Sequence, residues 1–423
     1  MRLALVVALV VCIPFPARAD GLPSGFQERL VEVEDGGEIA PVARWLDQQG
    51  ADPVAVAEAL RRGSIHARSE GRDFEIEVRA RSGLRTVARV LVPAAYDPET
   101  PAGLLIALHG ARGDQDQLAG TYRKATELGW LVAMPAARPG EACCDPAAEL
   151  FKNLTGGAWW DYSPEGVVFG TFDEMKRRFN VDEDRVVLTG YSMGGFASWN
   201  IGLRHHALFA GVAPISGALS LIEYTGLRDE RSRSLLENAT NGSLFVLHGA
   251  EDPVVPAQPD RWSHSQLDEL GVAHVFHLVA GGSHRTTFFR GEGAEYAEFW
   301  TWLAGRRRDP GPDRMVHVAI DDDHLVGDWI EILEARTRPR AARVEAARTG
   351  GNRIEIETER VNRLRVYLHP DDVDVSRPVT ILRDGRKAFE GVIEPSHESV
   401  LSSWRAFRGD RRKVTAHAVE LGR

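Results

Sequence analysis

Short apolar runs alternate with amphipathic stretches between residues 104 and 304, and this rhythm restricts the fold more than any other feature. The apolar runs lie at residues 104–108, 131–134, 186–188, 212–215, 244–247 and 275–279. Helical candidates separate them at residues 115–128, 164–179, 195–206, 261–270 and 293–304. Continuous apolar strands joined by helices are typical of a mainly parallel sheet covered on both faces. The sequence therefore predicts an α/β domain in the middle of the chain.

Different patterns flank this domain. Residues 25–67 have helical periodicity, whereas alternation typical of strands resumes beyond the charged, proline-bearing stretch at 306–314. Asp384-Gly385 is a hairpin signal within that second region. We therefore predict five parts: a signal segment at 1–19, a helical segment at 20–70, the α/β domain at 71–305, a linker at 306–314, and a β-sandwich-like domain at 315–423 with one helix near 397–406.

The first 19 residues have the order of a secretory signal. Arg2 precedes an apolar run at residues 3–15, and Ala17-Arg18-Ala19 supplies small residues for cleavage after Ala19. The run is too short to span a bilayer about 30 Å thick, and Val11 before Cys12 does not suit lipid anchoring. We expect a secreted or periplasmic protein with no membrane span.

Charge and cysteine content exclude two further classes. The formal net charge is −10, and nucleic-acid binding needs a concentrated positive surface, so no nucleic-acid partner is expected. Cys143 and Cys144 are adjacent and are the only cysteines beyond the signal segment. They do not form a disulfide framework and lack metal-ligand spacing, so the chain must fold around a hydrophobic core.

The sharpest chemical signal is the segment from Gly190 to Gly195, which reads Gly-Tyr-Ser-Met-Gly-Gly. It follows a predicted strand and precedes a predicted helix. A serine on such a tight turn is pushed clear of the sheet, and small neighbours permit its strained backbone. Ser192 is therefore the candidate nucleophile.

A serine nucleophile needs a base and a carboxylate that orients the base. Asp252 follows one apolar strand and competes with Glu251 for the carboxylate role; His284 follows the next strand. His248, His264, His274 and His277 are interpreted as structural or surface histidines. The order serine, aspartate, histidine, each at the carboxyl end of a strand, is typical of an α/β-hydrolase.

Acyl transfer also requires N–H groups that stabilise the negative oxygen of the intermediate. The amide of Met193, directly after the nucleophile, is one candidate. The second lies in the His109-Gly110-Ala111 segment after an early strand, where Gly110 or Ala111 could donate, and we favour Ala111.

Together these segments resemble a known group of enzymes. The motifs are Leu-His-Gly at 108–110, Gly-Tyr-Ser-Met-Gly-Gly-Phe at 190–196, Ala-Pro-Ile-Ser-Gly at 213–217, His-Gly-Ala-Glu-Asp-Pro-Val-Val-Pro at 248–256 and Gly-Gly-Ser-His at 281–284. Over about residues 73–304 the chain resembles secreted α/β-hydrolases of the feruloyl esterase, acetyl xylan esterase and polyhydroxybutyrate depolymerase group. It is similar, less closely, to the catalytic domain of prolyl oligopeptidase-type peptidases.

The resemblance implies a serine esterase with Ser192, Asp252 and His284 as its triad and no metal or organic cofactor. Its substrate would be an ester, either linked to a plant polysaccharide or part of a polyester. Two alternatives stay open: a serine peptidase of the prolyl oligopeptidase type, and a carbohydrate- or surface-binding protein with an inactive hydrolase domain. The peptidases usually carry a large propeller, which the residues before position 73 are too few to form.

Aromatic residues near the predicted site are candidate substrate contacts. Trp159 and Trp160 lie in an insertion that should reach the carboxyl ends of the strands, and Tyr191 neighbours the nucleophile. They could line a pocket for the acyl group. Alternatively, the tryptophans pack the insertion onto the domain.

Overall fold

The computed structural model describes residues 22–63, 66, 71–137, 159, 166–284 and 294–422. The predicted signal segment, Cys143, Cys144 and Trp160 lie outside the described residues. Among the helices described, none is both long and apolar enough to cross a bilayer.

An eight-stranded sheet forms the centre of the molecule. Its strands are β1 (Asp73–Arg79), β2 (Arg85–Leu91), β3 (Ala102–Leu108), β4 (Trp130–Pro135), β5 (Val181–Tyr191), β6 (Gly211–Ile215), β7 (Leu244–Gly249) and β8 (His274–Val279). The spatial order is β1-β2-β4-β3-β5-β6-β7-β8. Strand β2 pairs antiparallel with β1 and β4, and all other pairs are parallel. This order confirms the predicted α/β-hydrolase fold.

Helices cover both faces of this sheet. The helices of the domain are α4 (Ala119–Tyr122), α5 (Lys124–Glu127), α6 (Val167–Arg178), α7 (Met193–Arg204), α8 (Leu221–Tyr224), α9 (Glu230–Arg233), α10 (Gln258–Glu269) and α11 (Ala294–Ala304), with 3-10 turns at His206–Leu208 and Ser234–Asn241. Along β3, Leu104 and Ile106 enter one core, whereas Leu105 and Ala107 enter the other. Burial on both faces explains why the strands are apolar without alternation.

Two further sheets form the C-terminal domain. They contain β9 (Arg314–Ala319), β10 (Ile330–Ala335), β11 (Ala342–Gly350), β12 (Arg353–Glu359), β13 (Val361–Tyr367), β14 (Val379–Arg383), β15 (Arg386–Gly391) and β16 (Ala418–Leu421). The orders are β15-β14-β12-β11-β9 and β10-β13-β16. Ile354 and Ile356 of the larger sheet share one core with Ile332 and Leu364 of the smaller sheet. The domain is therefore β-rich and sandwich-like, as predicted.

The N-terminal helices pack against the C-terminal part of the chain. They are α1 (Phe26–Glu34), α2 (Ile39–Gln48) and α3 (Pro53–Arg62), and their partner is α12 (His397–Ala406). Leu30, Leu46 and Leu60 share a buried cluster with Val400 and Leu401. Helices near both ends of the described chain thus form one packed unit.

The stretch predicted as a linker is anchored rather than loose. Arg308 is only 7% exposed, and its guanidinium contacts the carboxylates of Asp184, on β5, and Asp410, beyond α12. The same guanidinium donates to the carbonyl of Ala207. Arg308 therefore joins the α/β domain to the C-terminal part through buried charges.

Candidate active site

Ser192 occupies a strained turn between β5 and α7. Its backbone angles are φ 57° and ψ −117°, a region that non-glycine residues seldom adopt. A Cβ on Gly190 would lie 2.2 Å from the Gly194 carbonyl oxygen, and a Cβ on Gly194 would lie 2.1 Å from the Leu108 carbonyl oxygen. Both glycines are therefore required for the close approach that presents the serine.

The three predicted triad residues form one hydrogen-bonded chain. Ser192 Oγ lies 2.8 Å from His284 Nε2, and His284 Nδ1 lies 2.7 Å from Asp252 Oδ2. A carboxylate only accepts, so the Nδ1 of His284 carries the proton and its Nε2 lone pair faces the serine hydroxyl. This is the arrangement in which imidazole can remove the serine proton.

Asp252, rather than its neighbour Glu251, occupies the carboxylate position. Its side chain is fully buried, and its Oδ1 accepts from the amides of Val254 and Val255 at 2.8 Å each. Burial alone would raise the pKa of this carboxyl, but hydrogen bonds from His248, His284 and the two amides hold the pKa well below its usual range. Glu251 is exposed. Asp252 is therefore ionised and fixed in orientation.

His248 lies behind Asp252 as a buried cation. Its Nδ1 is 2.7 Å from Asp260 Oδ2, and its Nε2 is 2.9 Å from the Val255 carbonyl oxygen and 3.5 Å from Asp252 Oδ2. Because all these partners accept, both ring nitrogens carry protons. Burial opposes the charge, but the hydrogen bonds to Asp252 and Asp260 raise the pKa of His248 to about 10. The imidazolium thus balances two buried carboxylates.

This cation makes stability depend on pH in a defined direction. The pKa of His248 rises from the ordinary 6.5 to about 10 on folding. Its contribution to the free energy of unfolding is therefore fully present below about pH 6.5 and is lost as the pH rises through about 10. We expect the difference in free energy of unfolding between the wild type and His248→Gln to be largest near pH 6 and to shrink towards pH 10. Urea unfolding at several pH values measures it, and a constant difference would contradict the assignment.

The segment after β3 supplies the second predicted oxyanion donor. A Cβ on Gly110 would lie 3.3 Å from Ser192 Cβ, so this segment borders the nucleophile. The Gly110 amide already donates to Gln117 Oε1 at 2.7 Å, so Ala111 stays the favoured candidate of the two. Met193 is the first residue of α7, where a helix provides no partner for the amide. Both predicted N–H groups therefore belong to elements that border Ser192.

Buried side chains fix the position of this segment. His109 Nε2 accepts from the Ala137 amide at 2.9 Å, and its Nδ1 lies 2.7 Å from the Gly110 carbonyl oxygen. Burial lowers the pKa of His109, in keeping with a neutral ring that accepts at Nε2. Trp159 Nε1 donates to the His109 carbonyl oxygen at 2.8 Å.

The aromatic residues predicted to contact the substrate have surroundings of a different kind. Trp159 is 3% exposed, and its contacts with His109 correspond to the packing alternative. The Tyr191 hydroxyl donates to the His284 carbonyl oxygen at 3.0 Å, while burial, followed by the Asp252 charge, raises the pKa of Tyr191 to about 12. Trp160 lies outside the described residues. Trp159 and Tyr191 therefore hold the backbone at His109 and at His284, respectively.

The residues behind Asp252 carry no clear signal in the sequence. The sequence favours a structural role for His248 and does not single out Asp260, whose carboxylate accepts from both Trp199 Nε1 and His248 Nδ1. An aspartate in the first turn of the helix after the acid loop was the available signal. Its pairing with a strand-end histidine required the three-dimensional arrangement.

Parts of this chain are similar in sequence to known proteins. Residues 170–288 match the family model described as Phospholipase/Carboxylesterase. The chain is similar to mouse lysophospholipase-like protein 1, with 31% identity over 28% of this chain and 47% of that protein. It is also similar to a bifunctional acetylxylan esterase/xylanase of Neocallimastix patriciarum, with 30% identity over 30% of this chain and 17% of that protein. The chain thus spans less than half the length of either curated relative.

Solved structures also align with part of this chain. A thermostable esterase aligns with a TM-score of 0.44 at 23% identity, over 56% of this chain and 63% of that one. The matched stretch, residues 170–288, contains Ser192, Asp252 and His284.

Proposed function

We propose that this chain, whose central domain has the α/β-hydrolase fold and resembles carboxylesterases, is an exported serine esterase. The observation that carries the proposal is the hydrogen-bonded chain from Ser192 through His284 to Asp252, with separations of 2.8 and 2.7 Å. These distances lie within the reach needed for proton transfer between nucleophile and base.

In the first half-reaction, Ser192 Oγ attacks the carbonyl carbon of the ester while His284 Nε2 accepts the hydroxyl proton. Asp252 keeps the imidazole in its orientation and stabilises the positive charge that forms on it. The amides of Met193 and Ala111 donate to the carbonyl oxygen as it becomes negative. His284 then returns the proton to the departing alcohol, which leaves the acyl group bound to Ser192.

In the second half-reaction, water replaces the alcohol. His284 Nε2 accepts a proton from the water as its oxygen attacks the acyl carbon, and the same two amides stabilise the second intermediate. The proton then passes from His284 to Ser192 Oγ as the acyl bond breaks and the carboxylic acid leaves. The serine is restored, and no metal or organic cofactor takes part.

The proposed substrate is a carboxylic ester met outside the cytoplasm, because the first 19 residues have the order of a secretory signal. One relative is named for acetylxylan esterase activity, which supports polysaccharide-linked esters as the first class to test. Polyesters are the second class. The proposed location is the periplasm or the exterior.

A substrate panel tests this function. Protein beginning after Ala19 is assayed with p-nitrophenyl acetate, p-nitrophenyl butyrate, methyl ferulate and a peptide p-nitroanilide. We expect kcat/KM for the best ester to exceed that for the peptide by at least about 100-fold, close to 3 kcal/mol of transition-state preference. Faster peptide cleavage would indicate a serine peptidase. No turnover on these substrates, on an acetylated xylan or on a polyester would indicate a binding protein with an inactive hydrolase domain.

A further inference from the structure

Two histidines and an aspartate form a second cluster of possible ligands away from Ser192. His264 and Asp268 are four residues apart on α10, so they lie on the same face of the helix. His274 is the first residue of edge strand β8, at the opposite end of that strand from His284. One ligand atom from each of the three side chains can be chosen so that all lie within 4.8 Å of one another.

The hydrogen bonds of His274 determine which of its nitrogens is available. Its Nδ1 lies 2.8 Å from the Val272 carbonyl oxygen. A carbonyl only accepts, so Nδ1 carries the proton and Nε2 holds a lone pair. The His274 side chain is 3% exposed, and its Nε2 faces His264. A backbone carbonyl that fixes the tautomer in this way is a regular feature of histidines that bind metals.

One contact in the cluster is unfavourable when the His264 ring carries a single proton. His264 Nδ1 lies 2.7 Å from His274 Nε2, so His264 Nδ1 donates the shared proton. The Nε2 lone pair of His264 then faces Asp268 Oδ2 at 3.6 Å, with no proton between two acceptors. Asp268 Oδ1 is also 4.0 Å from His274 Nε2. A metal ion bound at His264 Nδ1 would remove this contact, as a second proton on the His264 ring also would, because Nε2 could then carry a proton and donate to Asp268.

We propose that His264, Asp268 and His274 bind a divalent transition-metal ion of the zinc type, which connects α10 to edge strand β8. Two imidazoles and one carboxylate are ligands that zinc prefers, whereas magnesium and calcium favour oxygen alone. Metal–ligand bonds of about 2.0–2.2 Å in a tetrahedron separate the ligand atoms by about 3.4 Å. His274 Nε2 lies 2.7 Å from His264 Nδ1 and 4.0 Å from Asp268 Oδ1, on either side of that value.

The surroundings suit a metal ion held by three side chains and water. The His264 ring stacks on Phe276 with centroids 4.7 Å apart, which fixes its plane. The Asp268 side chain is 62% exposed, so water can complete the coordination and the ion can enter from solvent. Helix α10 begins after the Asp252 loop, and β8 ends before His284. The metal would therefore stabilise two elements that flank the triad.

Zinc titration of tag-free, EDTA-treated protein tests the site. We expect isothermal titration calorimetry to give one site per chain with a micromolar Kd. Zinc at 100-fold above that Kd should raise Tm by several degrees, because it binds the folded state selectively. Absence of zinc binding to the wild type would overturn the proposal.

Single substitutions distinguish zinc binding at this cluster from zinc binding elsewhere on the protein surface. Asp268→Asn and His264→Gln should each weaken zinc binding at least tenfold. Asp268 is exposed, so Asp268→Asn tests the site even if a substitution of the buried His274, such as His274→Gln, impairs folding. The control is His277→Gln: His277 lies on the same strand but faces Glu298, with Nε2 2.9 Å from its Oε2, so zinc binding should be unchanged. Zinc binding that survives both Asp268→Asn and His264→Gln would overturn the proposal.

Discussion

Replacing Ser192 by alanine should lower kcat for ester hydrolysis by at least about 10⁴-fold while changing Tm by less than about 2 °C. The substitution removes the atom that forms the acyl bond, so only binding and oxyanion stabilisation continue to assist water. The recorded side-chain hydrogen bond of Ser192 is the one to His284, and alanine keeps the same Cβ. Stopped assays with p-nitrophenyl butyrate and thermal unfolding measure the two effects.

A buried serine elsewhere provides the control for this substitution. Ser263 on α10 is fully buried, and its Oγ donates to the Pro259 carbonyl oxygen at 3.2 Å. Ser263→Ala should therefore leave kcat within about twofold of the wild type. If Ser192→Ala retained more than about 10% of wild-type kcat, the nucleophile assignment would be wrong.

Replacing Arg308 by methionine should destabilise the protein by about 3–5 kcal/mol, the usual effect of removing one partner from a buried ion pair. Asp184 and Asp410, both buried, would lose the guanidinium between them. The Ala207 carbonyl would lose a donor as well. Because Asp410 and Asp184 lie far apart in the chain, the substitution should loosen the contact between the α/β domain and the residues after α12. Urea unfolding measures the change.

The adjacent arginine is a matched control. The Arg307 side chain is 57% exposed and pairs with Asp182 and Asp184. Exposed pairs contribute at most about 1 kcal/mol, so Arg307→Met should have a much smaller effect. Equal losses for the two substitutions would mean that burial of Arg308 does not decide its contribution.

The sequence predicted the α/β domain well because its signals are local. The strands are short apolar runs, the helices have clear periodicity, and the helix near residues 397–406 was placed at its observed bounds. Contacts between distant segments could not be predicted in the same way. Nothing in the composition of α1 indicates that Leu30 packs near Leu401, and Arg308 belonged to a charged, proline-bearing stretch typical of a linker.

The candidate site shows the same limit. Ser192, Asp252 and His284 each follow a strand, and parallel strands bring such residues to one edge of the sheet. No comparable position in the sequence identifies the residues that support the triad. His248 gains its charge only because Asp260 and Asp252 face it, and Trp159 meets the His109 carbonyl across a long insertion. The hydrogen bonds that orient a site depend on tertiary contacts that residue spacing does not encode.

Covalent labelling of Ser192 tests the central claim most directly. A fluorophosphonate reacts with a serine that an adjacent histidine activates, and mass spectrometry of the digested protein locates the adduct. The account predicts one adduct on the peptide that contains Ser192, its absence in Ser192→Ala, and much slower labelling in His284→Gln. An adduct on another residue, or no adduct in a protein that hydrolyses esters, would contradict it.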